Sequence, residues 1–375
     1  MTIWWIAVVV LIAFYTMQSL FTKLYTDKYP GDPDMASNVL TIVSGITVAF
    51  VTLAFFSFSE GKIGFFDFHF NPWCVLIGVC NALALYGYNH FIVKASNSGP
   101  YSILMMFNLS GGIIIPIIAA LVMRWDNSWS TVPRAALNVV AIVSIISAVY
   151  MVSAKGDSGS GKKAISPRFL ISCFGLAICN GVYGLFLTLQ QQTAAAGGEN
   201  NRDEMIIVTF AAAALISAVS GIIKAKGKFF KAFKQSKRSF IYLVITSIVF
   251  ALAINLIVII IPHFDTTILY TLDNSSVLIM SVLISCIFFK ERLSFMNALG
   301  IVIMVCALVG MNLLPGVFDT ITDWSFANIP LAAAIFALPV GAAVLHKRVK
   351  ASGVFVASVG SLSLIMINLL IALFR

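Results

Sequence analysis

Apolar runs of membrane-spanning length recur along the whole chain. A helix needs ~20 mostly apolar residues to cross the hydrocarbon core of a bilayer. Twelve segments are close to this length: 3–21, 38–58, 73–93, 101–123, 135–152, 169–189, 205–223, 240–261, 267–289, 295–313, 326–345 and 353–374. The runs are continuous and do not alternate with polar residues, which excludes the strands of a membrane barrel. The pattern therefore predicts an all-α polytopic membrane protein with twelve spans.

The charge content supports the same class. Charged residues make up 10% of the chain and hydrophobic residues 60%, whereas soluble domains carry about 25% charged residues. A soluble protein with so few charges would expose large apolar patches and aggregate. The opening stretch MTIWWIAVVVLIAFY has neither a basic region nor a small-residue cleavage motif, so we expect a retained first span and not a signal peptide.

The distribution of Lys and Arg predicts the orientation. If the loops between spans are numbered in order, the odd loops hold 19 of the 24 Lys and Arg residues. Loops rich in Lys and Arg face the cytoplasm, so both termini are expected outside the cell membrane, which we take as a bacterial inner membrane. Because the positive charge lies in these loops, the net charge of +9 does not indicate nucleic acid as a partner.

An internal repeat relates the two halves of the first 314 residues. At an offset of 165 residues Asn108 falls on Asp273, Gln18 on Tyr183 and Asp126 on Glu291, and a one-residue shift places Asn89 on Asn255. We expect a five-helix repeat over 1–154, a flexible cytoplasmic linker over 155–167, a second repeat over 168–314 and two added helices over 315–375. Because five is odd, the second repeat is inverted in the membrane. Inverted repeats are typical of transporters that hold substrate at the repeat interface.

Asp273 is the main candidate for chemistry. An ionisable residue inside a span is costly and usually faces a cavity or a partner. It could contact substrate or carry a proton, together with its neighbour Asn274. The alternatives are an acid of an outer vestibule and an acid that is hydrogen-bonded to a neighbouring helix. The uncharged substrate-site candidates are those that repeat between the halves: Asn89, Asn255, Asn108, Gln18 and Tyr183.

Two further polar residues lie near the inner end of the third span. Lys94 is expected to extend its ammonium group to water, with binding of an anionic substrate as the alternative. His90, one turn earlier, is expected to be a hydrogen-bonded structural residue and not a proton relay.

A polar hinge, Lys290-Glu291-Arg292-Leu293-Ser294, separates the ninth and tenth spans. A Glu near the start of a helix is favoured by the helix dipole, so Glu291 is expected to cap the following helix. Asp126 takes the corresponding place in the first repeat. We expect Glu291, Arg292 and Asp126 to have structural roles.

The loop between the seventh and eighth spans is strongly basic. It interleaves three Phe with seven cations: Lys224, Lys226, Lys228, Lys231, Lys234, Lys237 and Arg238. Such a segment can lie on the inner leaflet and bind anionic lipid headgroups. The alternative is a loop that serves to set topology and binds no ligand.

Other classes of function find little support in the sequence. No CxxC pair, HExxH motif or placeable Ser/His/Asp set occurs, so we expect no enzyme activity, metal or cofactor. Gly156-x4-Gly161-Lys162 nearly matches a phosphate-binding loop, but Lys163 stands where Ser or Thr is needed and no strand precedes it. A channel would need a filter motif or a charged ring, and neither is found.

The hinge and the helix after it carry a family resemblance. Phe288-Phe289-Lys290-Glu291-Arg292-Leu293-Ser294, followed by Asn297-Ala298-Leu299-Gly300, resembles the closing signature of EamA-like domains in the drug/metabolite transporter superfamily. The resemblance implies a ten-helix core and secondary transport of small metabolites or drugs by alternating access. A small-molecule substrate, the lipid bilayer and protons are the partners expected, with the chain as a monomer or homodimer. The alternative function is a non-transporting scaffold or lipid-binding protein that uses the basic loop at 224–238.

Overall fold

The computed structural model describes residues 2–59, 69–123, 132–153, 166–195, 201–225, 229–235, 239–260, 266–291 and 297–307. This part of the chain is helical, and no strand occurs in it. The helices are α1 (Thr2–Lys28), α2 (Pro33–Ser59), α3 (Pro72–Ser98), α4 (Tyr101–Met123), α5 (Val132–Ser153), α6 (Pro167–Ala195), α7 (Arg202–Ala225), α8 (Phe229–Gln235), α9 (Phe240–Ile260), α10 (Thr266–Ile287) and α11 (Asn297–Ala307).

Seven of these helices are long and apolar enough to cross a membrane, namely α1, α2, α3, α4, α6, α7 and α9. The described residues are therefore those of a helical, multi-pass membrane protein. Shorter apolar stretches lie in α5, α10 and α11, where the fifth, ninth and tenth spans were predicted. The eleventh and twelfth predicted spans, with the segment 315–375, lie outside the described residues, as does most of the predicted linker over 155–167.

Local sequence signals set several helix starts. Pro is the first residue of α2, α3 and α6, a position where its missing N–H is not needed and its fixed φ suits the helix. Asn71 caps α3, because its side-chain oxygen accepts a hydrogen bond of 2.6 Å from the Cys74 N–H. Such caps satisfy the backbone donors that the first helical turn leaves unpaired.

The chain divides into two compact units. Unit 1 comprises 1–99, 107–116 and 167–263, and unit 2 comprises 100–106, 117–166 and 264–375. Each predicted repeat contributes three long helices to unit 1: α1, α2 and α3 from the first, and α6, α7 and α9 from the second.

In unit 1 the six long helices pack in a defined set of pairs. The most extensive contacts join α2 to α7, α3 to α6, α1 to α9, α3 to α7, and α2 to α9. A core of fully buried side chains, including Val48, Leu85, Phe210 and Ala251, fills the centre of α2, α3, α7 and α9. These four helices therefore form the interior of unit 1, and α1 and α6 flank them.

One element was not expected from the sequence. The basic loop between the seventh and eighth predicted spans contains the short helix α8. Its Phe229 packs against Gly221 of α7, where a Cβ would overlap the aromatic ring. The Phe residues of this loop thus provide an apolar contact that holds part of the loop against the bundle.

Candidate functional site

Charged side chains from three helices meet at one end of unit 1, around Asp34 in the first turn of α2. Lys94 of α3 lies 3.0 Å from the Asp34 carboxylate, Lys224 of α7 lies 3.9 Å from it and the His90 Nδ1 atom lies 3.8 Å from it. We call Asp34, His90, Lys94 and Lys224 the Asp34 cluster. Two lysines share one carboxylate in this cluster, so any movement that separates α2 from α3 or α7 breaks an ion pair.

The Asp34 cluster is half-exposed. The side chains of Asp34, Lys94 and Lys224 are 29%, 39% and 46% exposed. Solvent-exposed ion pairs contribute only about 0–1 kcal/mol. The cluster is thus suited to a contact that forms and breaks, because little stability is lost when it opens.

The rest of this α3 face extends the cluster toward the bundle interior. Tyr86, His90 and Lys94 are spaced four residues apart, which places them on one face of the helix. The Tyr86 hydroxyl shares a 2.8 Å hydrogen bond with Ser220 of α7, and the Tyr86 ring stacks on His90. The His90 Nδ1 atom is buried and makes no hydrogen bond within the described part of the chain.

A second contact closes the same end of unit 1. The Lys23 ammonium group of α1 donates to the backbone carbonyl of Ser96 near the end of α3 and lies 2.9 Å from Asp27. This end therefore joins α1 and α2 to α3 through charged and polar groups.

The repeated asparagines, Asn89 and Asn255, are both buried in unit 1. Asn255 of α9 donates a 3.1 Å hydrogen bond to the Thr52 hydroxyl of α2 and a 2.9 Å hydrogen bond to the Ala251 carbonyl. The Asn89 amide nitrogen makes no hydrogen bond within the described residues. The two members of the repeat pair thus differ in their bonding, although they share a residue type and a buried environment.

The second repeat pair, Gln18 and Tyr183, lies in different surroundings. The Gln18 side chain is buried, and its backbone carbonyl accepts hydrogen bonds from Thr22 at 2.8 Å and Thr246 at 3.2 Å. Tyr183 of α6 packs against the core of unit 1. These contacts give the segment around Gln18 a role in holding α1 against α9.

Asn108 of α4 takes part in a polar contact among three helices of unit 1. Its amide nitrogen donates to the Tyr88 hydroxyl at 3.4 Å, and its backbone carbonyl accepts a 2.6 Å hydrogen bond from Asn180 of α6. The structure therefore joins Asn108 to Tyr88 and Asn180, two residues outside the predicted repeat pairs.

Asp273 and Asn274 belong to α10, in unit 2. Asp273 is 7% exposed, and its Oδ1 atom has no hydrogen-bond partner within the described residues. Asn274 is half-buried. Asp273 is thus a buried acid of α10, and its role in substrate contact or proton transfer stays a prediction.

Glu291 caps a helix other than the one expected. Its carboxylate accepts hydrogen bonds from the Tyr101 N–H at 2.6 Å, the Ser102 N–H at 3.2 Å and the Ser102 hydroxyl at 2.9 Å. The capped helix is α4, about 190 positions earlier in the chain, and all three residues belong to unit 2. Glu291 caps α4 through a tertiary contact, because the segment that follows α10 passes the start of α4. Arg292 and Asp126, the other two predicted hinge residues, lie outside the described residues.

The basic loop has two kinds of described cation. Lys224 belongs to the Asp34 cluster, whereas Lys231 is exposed on α8 beside Phe230, whose side chain is 81% exposed. Lys234 is also part of α8. Lys226, Lys228, Lys237 and Arg238 lie outside the described residues.

Metal and thiol chemistry finds no site in the described residues. No group of three His, Cys, Asp or Glu side chains there could hold a metal ion. The six cysteines are free thiols.

Sequence reasoning missed Asp34, Thr52 and Ser217, the last a buried residue of α7 at the position that the repeat relates to Thr52. Asp34 follows Pro33 and begins a helix, but it precedes the apolar run and was therefore assigned to a loop. Thr52 and Ser217 are small hydroxyl residues inside apolar spans, where they are common. The signal that could have selected them is their spacing of 165 residues, the offset of the repeat.

Comparison with known proteins gives no family assignment. No protein-family profile matches the chain, and no curated protein matches it. A solved structure known only as "Crystal structure of protein" aligns over 82% of this chain and 98% of its own, with 15% sequence identity and a TM-score of 0.48.

Proposed function

We propose that the chain is a secondary transporter of small metabolites or drugs, built from two inverted five-helix repeats of the EamA-like type with two added helices. The observation that carries the proposal is the helix pairing of unit 1. In the repeat, α1 corresponds to α6, α2 to α7 and α3 to α9. When each helix is exchanged with its counterpart, the α3–α6 contact becomes the α1–α9 contact and the α3–α7 contact becomes the α2–α9 contact. All four of these contacts are extensive in the structure. The α2–α7 contact maps onto itself. This exchange is the pairing that a two-fold axis between inverted repeats requires.

A close backbone contact between α2 and α7 also supports the repeat. A Cβ at Gly45 would lie 2.6 Å from the Phe210 carbonyl oxygen, so the backbones of the two helices meet at this point. Gly45 and Phe210 are separated by 165 residues. A position that contacts its own repeat counterpart is expected on the symmetry axis.

The departures from this symmetry support alternating access. α3 packs against α1 and α2, and contacts at the Asp34 cluster and Lys23 join these helices at one end. The counterpart contacts, α9 with α6 and α7, are less extensive among the described residues. Closure at one end but not at the related end is the asymmetry that alternating access needs.

Proton coupling through Asp273 is part of the proposal, because a buried carboxyl in a span can take up and release a proton during transport. Asp273→Asn removes the titratable group and keeps its shape. Asp27→Asn is the matched control, since Asp27 is an exposed acid at the end of α1.

The experiment is uptake by proteoliposomes. Amino acids, sugars and organic cations are first screened for thermal stabilisation of the purified protein, and each stabilising compound is then supplied in radiolabelled form. Uptake above protein-free liposomes that depends on a pH gradient is expected, with Asp273→Asn abolishing the dependence and Asp27→Asn keeping it. Uptake no faster than in protein-free liposomes for every stabilising compound would contradict transport.

A lipid-binding scaffold is the second candidate, favoured by α8. This helix buries Phe229 against α7 and presents exposed Phe230 and Lys231, an arrangement suited to the interface of an anionic leaflet. Nanodiscs with anionic or zwitterionic lipid, followed by native mass spectrometry, measure retained lipid. Loss of anionic lipid in Lys231→Ala, with unchanged uptake, would favour this second function as an additional property.

A further inference from the structure

We infer that Thr52–Asn255 and Asn89–Ser217 are alternative hydrogen bonds, made in opposite states of unit 1. The inference rests on the proposed transport function and adds four named switch residues to it. In the structure described here the Thr52–Asn255 bond is formed. In the opposite state this bond is broken and the Asn89–Ser217 bond replaces it.

The two pairs are counterparts in the repeat. Ser217 follows Thr52 by 165 residues, and Asn255 follows Asn89 by 166. Thr52 and Asn255 connect α2 to α9, whereas Ser217 and Asn89 belong to α7 and α3. Because α2–α9 and α3–α7 are exchanged by the two-fold relation, a bond in one contact has a defined counterpart in the other.

The counterpart bond is absent in this state. The Asn89 amide nitrogen and the Ser217 hydroxyl are buried and make no hydrogen bond within the described residues. Their helices are nevertheless in contact, since Tyr86 of α3 bonds to Ser220 of α7. The two helices run parallel, and a Cβ at Gly78 would meet Val208, an offset of 130 residues that also relates Lys94 to Lys224. At this offset Asn89 is level with position 219, about 3 Å along the axis from Ser217, so a modest shift along the helices can bring them together.

A second set of polar residues shows the same imbalance. Ser44 on α2 and Ser247 on α9 donate to carbonyls of their own helices, and their repeat counterparts are Thr209 on α7 and Asn81 on α3. The Thr209 hydroxyl and both polar atoms of the Asn81 side chain are buried without a partner among the described residues. Ser44 and Ser247, like Thr52 and Asn255, are thus hydrogen-bonded, and their repeat counterparts on α3 and α7 have buried polar atoms that are not.

Because the unsatisfied groups of α3 and α7 are buried, their hydrogen-bond partners must come from other helices and not from solvent. Asn81 and Ser217 are 0% exposed, so no solvent reaches them in this arrangement. An unsatisfied buried polar group is costly compared with a hydrogen-bonded one. A change in helix packing that pairs Asn89 with Ser217 relieves part of this cost, and loss of the Thr52–Asn255 bond introduces a similar cost between α2 and α9.

The exchange suits a transporter because the two states then have similar free energies. All four switch residues are uncharged, and each state gains one interhelical hydrogen bond and loses one. A small difference in substrate affinity between the states is then sufficient to shift their populations.

The test uses two variants that should act in opposite directions. Spin labels are placed at the exposed positions 28 and 98, at the ends of α1 and α3, in a background without the six native cysteines. Distances between the labels are measured by double electron–electron resonance. Thr52→Val removes the bond of the present state and should increase the population with the α1–α3 end open. Ser217→Ala removes the bond of the opposite state and should decrease it.

The expected change in the ratio of the two populations is about fivefold for each variant, which corresponds to about 1 kcal/mol for one hydrogen bond. The double variant Thr52→Val/Ser217→Ala should return the ratio toward that of the unsubstituted protein. Shifts in the same direction, or no shift in either variant, would overturn the inference.

Hydrogen exchange provides a second measurement in protein that keeps its native cysteines. Backbone amides of 95–99 should exchange faster in Thr52→Val and slower in Ser217→Ala, and equal exchange in both variants would also overturn the inference. Neither measurement depends on flux. Opposite shifts without uptake would refute transport alone, whereas uptake with shifts in one direction would refute the switch alone.

Discussion

At the scale of single residues, Lys290 adopts a backbone conformation that residues other than glycine rarely enter. Its φ is 51°, in the left-handed region that L residues enter at a cost of ~1–2 kcal/mol. The conformation lets the chain turn after α10, and the Glu291 N–H then donates to the Ser285 carbonyl at 3.1 Å. Helices often end with glycine at such a position.

Lys290→Gly should therefore stabilise the protein. Glycine enters the left-handed region freely but loses more backbone entropy on folding, so the net gain is about 1 kcal/mol. Thermal unfolding in detergent measures it. Lys290→Ala is the matched control, because it removes the charge and keeps the strained backbone; an equal gain in that variant would show that charge and not conformation is responsible.

Glu291 is the second residue whose role depends on the backbone around it. Its carboxylate accepts two backbone N–H groups and one hydroxyl at the start of α4. Loss of a cap typically costs about 0.5–2 kcal/mol. Glu291→Gln should lower the midpoint of thermal unfolding, with a larger loss in Glu291→Ala. An unchanged midpoint in Glu291→Ala would contradict the cap.

At the scale of elements, close packing in unit 1 depends on glycines that face another helix. Gly111 of α4 lies against the backbone of α6 at Ala177, where a Cβ would overlap the carbonyl group. Gly181 of α6 in turn lies against the Gly111 carbonyl. Small residues permit such close contact between membrane helices, where packing replaces the hydrophobic effect as the main attraction.

Gly111→Ala should separate α4 from α6 and break the hydrogen bond between Asn180 and the Asn108 carbonyl. The expected loss is about 1–3 kcal/mol, as for other overpacked sites. Gly87→Ala is the control, since its Cβ would meet the Cys179 sulfur, the end of a small side chain that can rotate. Equal destabilisation of both variants, measured by thermal unfolding, would argue against a specific contact of α4 with α6.

At the scale of the whole molecule, the contacts within unit 1 agree with the expected threading through a membrane. Lys23, Asp34, Lys94 and Lys224 belong to the predicted first, third and seventh loops or their borders, and the structure brings them to one end. Helices that pass back and forth across a bilayer place odd-numbered loops on one side. The excess of Lys and Arg in these loops predicts that this side is cytoplasmic.

Cysteine labelling in whole cells tests this orientation. In a background without native cysteines, Ser98→Cys should react with a membrane-impermeant maleimide after permeabilisation only, because it follows the Lys94 end of α3. His69→Cys, an exposed position before α3, is the matched control at the opposite end and should react in intact cells. The reverse result would invert the topology.

The apolar runs by themselves determined the class of protein and the location of most helices. A bilayer requires each crossing segment to satisfy its own backbone hydrogen bonds, so length and hydropathy are sufficient to indicate a helix. The repeat offset also singled out Asn89 and Asn255, both of which are buried. The bundled arrangement of the two repeats remains a proposal that the helix pairing supports.

Tertiary structure decided which side chains meet. Lipid tails are as apolar as leucine side chains, so hydropathy does not indicate which face of a membrane helix contacts protein. Asp34 therefore appeared to be a loop residue until α3 and α7 brought Lys94, His90 and Lys224 to it. For the same reason the sequence did not indicate that Glu291 caps α4, and Asn89 and Asn255, equivalent in sequence, differ in the hydrogen bonds that they make. Length and hydropathy by themselves indicated the seven long apolar helices of the described residues, and the packing of those helices determined the partners of their side chains.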